Sequence, residues 1–426
     1  MEAVKNYWRM IKVKLMKKVV LAGASLLMLG IFSGCSSSNE KKGDAKGDKE
    51  IEFWTISLQP TFNDYFNEVI NNFEKENKGY KVVWKDYPYD TLKNKLLTSI
   101  SSNDVPDIVN LNAEMALSMG SKAALSNADD YLSDNQKNSF FEGIYDAPKF
   151  KDQTLAVPWY TTCPVMFVNK SILEDAKMSA ENLPTNFEDY IDWANELHEK
   201  SGKYATTAVP DVRDTLVTNG VKVLNDDHTK AVFNSSEAIE VLTDYKKMIE
   251  DGVAPKDAST IDAQVQMFAS EQLGSVINGT TFINALKTAA PDVYENTLAV
   301  PVPYSHTLSS SMFLTVPEKS NNKDLAYKFV NYVTNAEEQL AFSKVANTLP
   351  STKETVKDSF FTESNGSLED DAKVASANSL DKANELALDV ELFDEINKGM
   401  QNILLNGADV QSELNRTVDA VNEKLK

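Results

Sequence analysis

Histidine, arginine and cysteine are all scarce in this chain of 426 residues, with three, three and two copies. His198, His228 and His306 are scattered, so no histidine metal site is expected and no cofactor is called for. Basic charge is outnumbered: 43 Lys and Arg face 63 Asp and Glu, a net charge of -20. A chain this acidic is repelled by nucleic acid and anionic headgroups, so a nucleic-acid partner is excluded. No apolar run reaches the roughly 18 to 20 residues of a spanning helix. Also missing are a G-x-S-x-G elbow, a P-loop, an H-E-x-x-H helix and a G-x-G-x-x-G turn. These absences remove most signatures of nucleophilic, nucleotide-dependent and zinc-dependent catalysis. They leave open a glycan-cleaving pair of carboxylates, which needs no short motif.

Against these absences stands one informative cysteine. Lys17 and Lys18 precede an apolar stretch from Val19 to Leu29, and Ile31-Phe32-Ser33-Gly34 leads to Cys35. A positive start, a short apolar run and small residues at the cut form a secretory signal. The Cys directly after Ser33-Gly34 makes the pattern resemble a bacterial lipobox, with Phe32 where Leu is usual. Residues 1–34 are therefore expected to be a lipoprotein signal peptide and Cys35 the lipid attachment site. Met16-Lys17-Lys18 would itself be an ordinary start. The rest of the chain is expected on the extracytoplasmic face of a bacterial membrane, lipid-anchored. Segment 1–34 holds six basic residues and one acidic, so residues 35–426 carry 37 basic and 62 acidic, a balance of -25. With Cys35 assigned to lipid, Cys163 has no intramolecular partner and stability must come from the core.

Residues 35–50 are polar and read as a flexible tether. Folded sequence is expected from Ile51 as a strand through Thr55. Phe62, Tyr65, Phe66, Ile70 and Phe73 come next at helical spacing. Tyr80 to Trp84 is a strand, Leu92 to Ile100 a helix, Asp107 to Leu111 a strand. Strand and helix in alternation predict an α/β chain with parallel strands. Further strands are expected at Thr154–Pro158, Val165–Asn169, Gly274–Asn278, Leu298–Val302 and Phe313–Val316. Capping boxes Thr185 with Glu188 and Asn234 with Glu237 open two helices. Val410, Leu414, Val418, Val421 and Leu425 close the chain with an amphipathic one. There is no internal repeat.

Several segments in order resemble the carbohydrate-type (family 1) extracellular solute-binding proteins of bacterial ABC importers, the class of maltose-binding protein. They are Glu52-Phe53-Trp54-Thr55, Val105-Pro106-Asp107-Ile108-Val109, Val157-Pro158-Trp159-Tyr160 and Val168-Asn169-Lys170. Leu183-Pro184-Thr185-Asn186-Phe187-Glu188 comes next, with Phe187 where the family has Trp. Phe233-Asn234-Ser235-Ser236-Glu237-Ala238, Val276-Ile277-Asn278-Gly279 and Asn347-Thr348-Leu349-Pro350 complete the set. Thr280-Thr281 stands where a Trp is frequent. The resemblance implies a two-lobed periplasmic-binding-protein-like fold with a hinged cleft. One lobe would hold residues 51–160 and 307–350, the other 161–306 and 351–426. It implies capture of a sugar or oligosaccharide between the lobes, delivery to the permease subunits of an ABC importer, a monomer and no enzymatic activity. The alternatives are a surface glycan-cleaving enzyme, a binder of a non-sugar solute, and an adhesin.

A neutral sugar calls for aromatic faces and a rim of hydrogen-bonding side chains. Ligands of open α/β sheets sit beyond the carboxyl ends of strands. The candidates are accordingly Thr55 and Ser57 after the first strand, then Asn110, Asn112 and Glu114. Trp159, Tyr160 and Thr162 are expected in a turn where the lobes meet, with Trp159 as the stacking ring. Thr281, Phe282 and Ser310 complete the set. Trp54, Trp84 and Trp193 are assigned to the core.

Replacing Cys35 by Ser should abolish metabolic labelling with palmitate and leave an uncut or mis-cut precursor. Equal labelling of the Cys35→Ser protein would refute the lipid assignment.

Overall fold

A computed structural model describes residues 49–225 and 227–426. Cys35, the signal segment and the tether up to residue 48 lie outside the described residues. The first strand begins at Lys49, two residues before the expected start, because Lys49 and Glu50 already pair with Tyr80 and Lys81.

Thirteen strands occur among the described residues. β1 (Lys49–Ile56), β2 (Tyr80–Tyr87) and β3 (Ile108–Asn112) come first, then the short hairpin of β4 (Lys149–Phe150) and β5 (Gln153–Thr154). Next in the chain are β6 (Val157–Thr162), β7 (Val165–Asn169), β8 (Ser275–Asn278) and β9 (Thr297–Val300). β10 (Thr307–Leu308), β11 (Ser310–Thr315), β12 (Leu349–Pro350) and β13 (Ala383–Asn384) complete the set. One sheet has six strands in the order β12-β6-β11-β3-β1-β2, and a second has three, β8-β7-β9. β1 is parallel to β2 and β3, as the alternating pattern predicted, whereas β11 runs antiparallel to β3 and β6.

The helices Asn63–Glu76 and Tyr89–Ser102 form the crossovers of the parallel part. The first drives Phe66, Val69 and Phe73 into the core, the i, i+3, i+7 stripe of an amphipathic helix. The predicted capping boxes each shift by one residue. Asn186, not Thr185, caps the helix Phe187–Ser201, its Oδ1 accepting the Asp189 N–H at 2.9 Å. Ser235, not Asn234, caps Ser236–Glu250 by accepting from Ala238. In both cases the residue after the expected one has the extended backbone that a cap requires.

The chain passes between the two sheets at three places. Only Cys163 and Pro164 separate β6 from β7. The second passage leads from β9 through β10 to β11, and the third runs through β13, which pairs in parallel with β10. The expectation that all of 351–426 belongs with the second sheet needs correction. Phe361, Ala377, Leu380, Ala383 and Ala387 pack with Leu111 and Phe313 of the first sheet, whereas Leu368, Ala372 and Ala375 pack with Phe167 of β7 and residues from Leu388 onward join the core that holds Val168, both as expected.

β6 does not end in the turn expected at Trp159. Its pairing with β11 runs on to Thr162 opposite Ser310, with a bulge where Met312 faces Tyr160 and Phe313 faces Pro158. The extra residue is Trp159. A bulge breaks the two-residue alternation of a strand, so Trp159 and Tyr160 both pack in one apolar cluster instead of facing opposite ways. Trp159 is fully buried among Phe53, Phe66 and Phe342 and is a core residue, which corrects its assignment as a stacking platform. Replacing Trp159 by Ala should cost about 3 to 5 kcal/mol of stability. A normal melting temperature for Trp159→Ala in calorimetry would contradict this placement.

Candidate functional site

Between the two sheets lies a cleft of about 670 Å³. Its first wall is built from the ends of β3, β6 and β11. β3 stops at Asn112, whose side chain caps the helix Ala113–Gly120 by accepting the Met115 N–H at 2.9 Å. That cap turns the chain and brings Glu114, in the first helical turn, into the wall. Thr162 and Ser310 sit opposite each other at the ends of β6 and β11, both exposed to the cleft. Four of the sequence candidates, Asn112, Glu114, Thr162 and Ser310, are thus brought together.

The other candidates are not in this lining. Thr55 is fully buried, donating to Asp86 Oδ1 at 2.6 Å and accepting from Trp84 Nε1 at 2.7 Å. Asn110 is fully buried and donates to the Phe313 carbonyl at 3.1 Å. Phe282 is a core ring stacked on Phe167 at 4.9 Å. Ser57 is exposed in the loop after β1, with φ 53. Tyr160 packs against the first core, and Thr281 lies exposed in the helix Thr281–Ala289.

The second wall was not foreseen. Asp211, Arg213 and Asp214 lie on and beside a π-helical turn, Arg213–Val217. Asp211 accepts from the Arg213 guanidinium through both Nε and Nη2 at 3.2 Å and from Asn397 Nδ2 at 3.0 Å. Arg213 also lies 4.3 Å over the ring of Phe393. Asn278 donates to Gln264 Oε1 at 2.8 Å, and Gln264 is held in turn by the Ala258 carbonyl at 3.0 Å. Glu385 comes just after β13 on the third passage and accepts the Ser311 N–H at 3.0 Å. The sequence did carry one signal for Glu385: it is a lone charge among Ala, Leu and Asn in Ala383-Asn384-Glu385-Leu386-Ala387.

Two carboxyls of this lining are strongly perturbed. Burial pushes Asp214 up to about 7, with the nearby Asp211 charge adding to the rise and Arg213 opposing it. Burial likewise pushes Glu385 up to about 7 against the hydrogen bonds from Ser311. The Cys163 thiol is raised by burial and by the charge of Glu385, so it is not a thiolate nucleophile at neutral pH. Large exposed apolar side chains also gather here. Ile261 and Val390, both in the lining, are 50 % and 55 % exposed. Tyr89 stands beside Asn112 and Glu114 at the rim.

The profile of the bacterial extracellular solute-binding proteins matches residues 68–369. A binding protein of Brucella abortus (strain 2308) is 25 % identical over 362 residues, covering 81 % of this chain and 83 % of its own. The arabinooligosaccharide-binding protein of Bacillus subtilis (strain 168) is 21 % identical over 343 residues, covering 76 % and 78 %. Among solved structures, one from Synechococcus sp. MITs9220 named as an oligosaccharide periplasmic-binding protein superposes with a TM-score of 0.76. It is 24 % identical and spans 88 % of this chain and 98 % of its own.

The raised carboxyls set a pH dependence. Glu385 keeps its proton in the folded chain at pH values where an unfolded glutamate has lost it. Its contribution is full below the unfolded value near 4.5 and is lost as pH rises to about 7. Glu385→Gln should therefore flatten the fall in melting temperature between pH 4.5 and 7 and raise it by about 1 to 3 °C at pH 8. An unchanged slope in scanning calorimetry would count against a buried, proton-holding Glu385.

Proposed function

The chain belongs to the bacterial extracellular solute-binding proteins, and from that premise we propose that it captures an oligosaccharide between its two lobes for an ABC permease. The observation that carries the proposal is the composition of the cleft, where both walls contribute polar side chains around one volume of about 670 Å³. That volume lies in the range of small-molecule sites. Carboxylates, amides and hydroxyls from Asn112, Glu114, Thr162, Asp214, Gln264, Asn278, Ser310 and Glu385 supply the acceptors and donors that a rim of sugar hydroxyls requires. The oligosaccharides named for the Bacillus and Synechococcus relatives support the same class.

The lobe division we propose runs through the three passages, with the cleft opening and closing about them. Ile261 and Val390, exposed in this arrangement, would be covered by ligand or by the facing lobe. Lipid attachment at Cys35 would hold the protein at the extracytoplasmic membrane face. Among the described residues no helix is long and apolar enough to cross a membrane. We propose a binding rather than a catalytic role because the relatives are solute-binding proteins.

Thermal shift over arabino-, malto- and other oligosaccharides tests this. A ligand at 100 to 1,000 times its Kd should add about 3 to 4 kcal/mol of stability. Solution scattering should show a smaller radius of gyration with the same ligand. Release of shortened saccharide would favour the enzymatic alternative, and no shift with any saccharide would remove the proposal.

A further inference from the structure

The ionisable lining of the cleft is one-sided. Glu114, Asp211, Asp214 and Glu385 face a single cation, Arg213. That cation is already committed: Asp211 holds it through two nitrogens, and its plane covers Phe393. No donor among the described residues hydrogen-bonds the carboxylate of Asp214, which stands between the main cleft and a small inner cavity. The inner cavity brings Tyr245 and Tyr304 toward it, and Asp211 and Arg213 flank it on its own turn. Glu385 has the Ser311 N–H, with Cys163 and Arg213 as its other titratable neighbours.

Ring faces are scarce in the same place. Phe393 is the one aromatic residue of the lining, with Arg213 over its face, and Tyr89 at the rim adds a single partly exposed ring. Stacking on pyranose rings is therefore a small part of what this cleft offers, and carboxylates are the large part. As the lobes close over a ligand, water leaves, and a carboxylate without a donor gains more from a cation than from a single neutral hydrogen bond. A hydroxyl donates one hydrogen bond and leaves the charge in place. An ammonium brings three donors and the opposite charge.

We propose that the preferred ligand carries a positively charged amino group that sits against Asp214, the lining carboxylate without a hydrogen-bond donor: an amine-bearing saccharide rather than a neutral one. The proposal rests on the cleft being a saccharide site, as argued above, and it names the chemical class of the saccharide. It also makes a proton count. Burial raises the proton affinity of Asp214, to about 7, so its carboxyl holds a proton at pH values where an exposed aspartate has lost it. A bound cation favours the carboxylate and releases that proton. A neutral ligand that dries the cleft does the reverse.

The test uses the folded chain and isothermal calorimetry at pH 6, where a glucosamine amine is already charged before it binds, in buffers of different ionisation enthalpy. The probes are glucosamine oligomers, their N-acetylated and hydroxyl counterparts, and malto- and arabinooligosaccharides. The expected result is that an amine-bearing oligomer binds about 10- to 100-fold tighter than its two neutral counterparts, as one charge-assisted hydrogen bond would give. Proton release should accompany it, and the gap should narrow in 0.5 M salt. Asp214→Asn, which keeps the side-chain shape, should bring the amine-bearing and neutral affinities closer together. If a neutral oligosaccharide binds best, without proton release, the amine proposal is overturned and the saccharide site stands. If no saccharide of either kind binds, both fall.

Discussion

The two residues Cys163 and Pro164 constrain everything else in this structure. They are all that separates the last residue of β6, in the six-stranded sheet, from the first residue of β7, in the three-stranded one. A link this short keeps the end of β6 and the start of β7, an interior strand of each sheet, within about 10 Å of each other. Cys163 is buried, and its carbonyl accepts from Ser376 Oγ at 3.0 Å. Pro164 offers no N–H, so the link has one backbone donor fewer to give to either ladder. The other two passages are tied to each other by the β10–β13 ribbon. The place where the sheets can face each other is fixed by these passages, and the cleft lining is accordingly drawn from residues next to them: Thr162, Ser310 and Glu385.

Glu385 shows what that placement costs. A carboxylate on a passage segment, half-buried beside Cys163, has lost part of its water without gaining a cation of its own. Its hydrogen bond from the Ser311 N–H fixes the third passage to β11 of the first sheet. Burial wins over that bond, and the proton affinity rises. Replacement by an apolar residue would relieve the charge, but it would leave the Ser311 N–H without its side-chain acceptor. The acid is therefore both a structural tie and a group with unused affinity for a donor.

The alternating elements of the first sheet were legible in the sequence, because β1, β2 and β3 are short apolar runs separated by helices with one apolar stripe. The family pattern made the two-lobed architecture legible as well. Of the candidate cleft, only the first wall was legible, through four of the eleven candidates. Asn112 and Glu114 stand just past the carboxyl end of a strand, where ligands of open sheets bind, and Thr162 and Ser310 stand where the chain leaves its sheet. Thr55 and Asn110 met the same criterion, yet both are buried, Thr55 Oγ1 held by Asp86 and Trp84 and Asn110 Nδ2 by the Phe313 carbonyl. Which hydroxyl or amide is spent inside the fold depends on partners 29 to 203 residues away, which no local pattern reports. Trp159 failed for another reason. The two-residue alternation of a strand holds only without a bulge, and the bulge lies opposite Met312 and Phe313, far downstream in the chain.

The second wall escaped because its chemistry is assembled by a rare local geometry. Asp211, Arg213 and Asp214 form no motif in the sequence that singles them out. The π-helical turn Arg213–Val217 changes their directions: Asp211 is claimed by Arg213 and by Asn397 of the helix Val390–Leu404, and Asp214 is left toward the cleft. A wider turn places neighbouring side chains at angles that an α-helix does not allow, and such turns are concentrated at functional sites. The two walls thus differ in kind. The first is set by strand ends and carries Asn112, Thr162 and Ser310 with a single acid, Glu114. The second owes its one cation and two of its acids, Asp211, Arg213 and Asp214, to one irregular turn. Among relatives built on the same sheets, changes in that turn would alter what is bound while leaving the passages, and hence the closure, untouched.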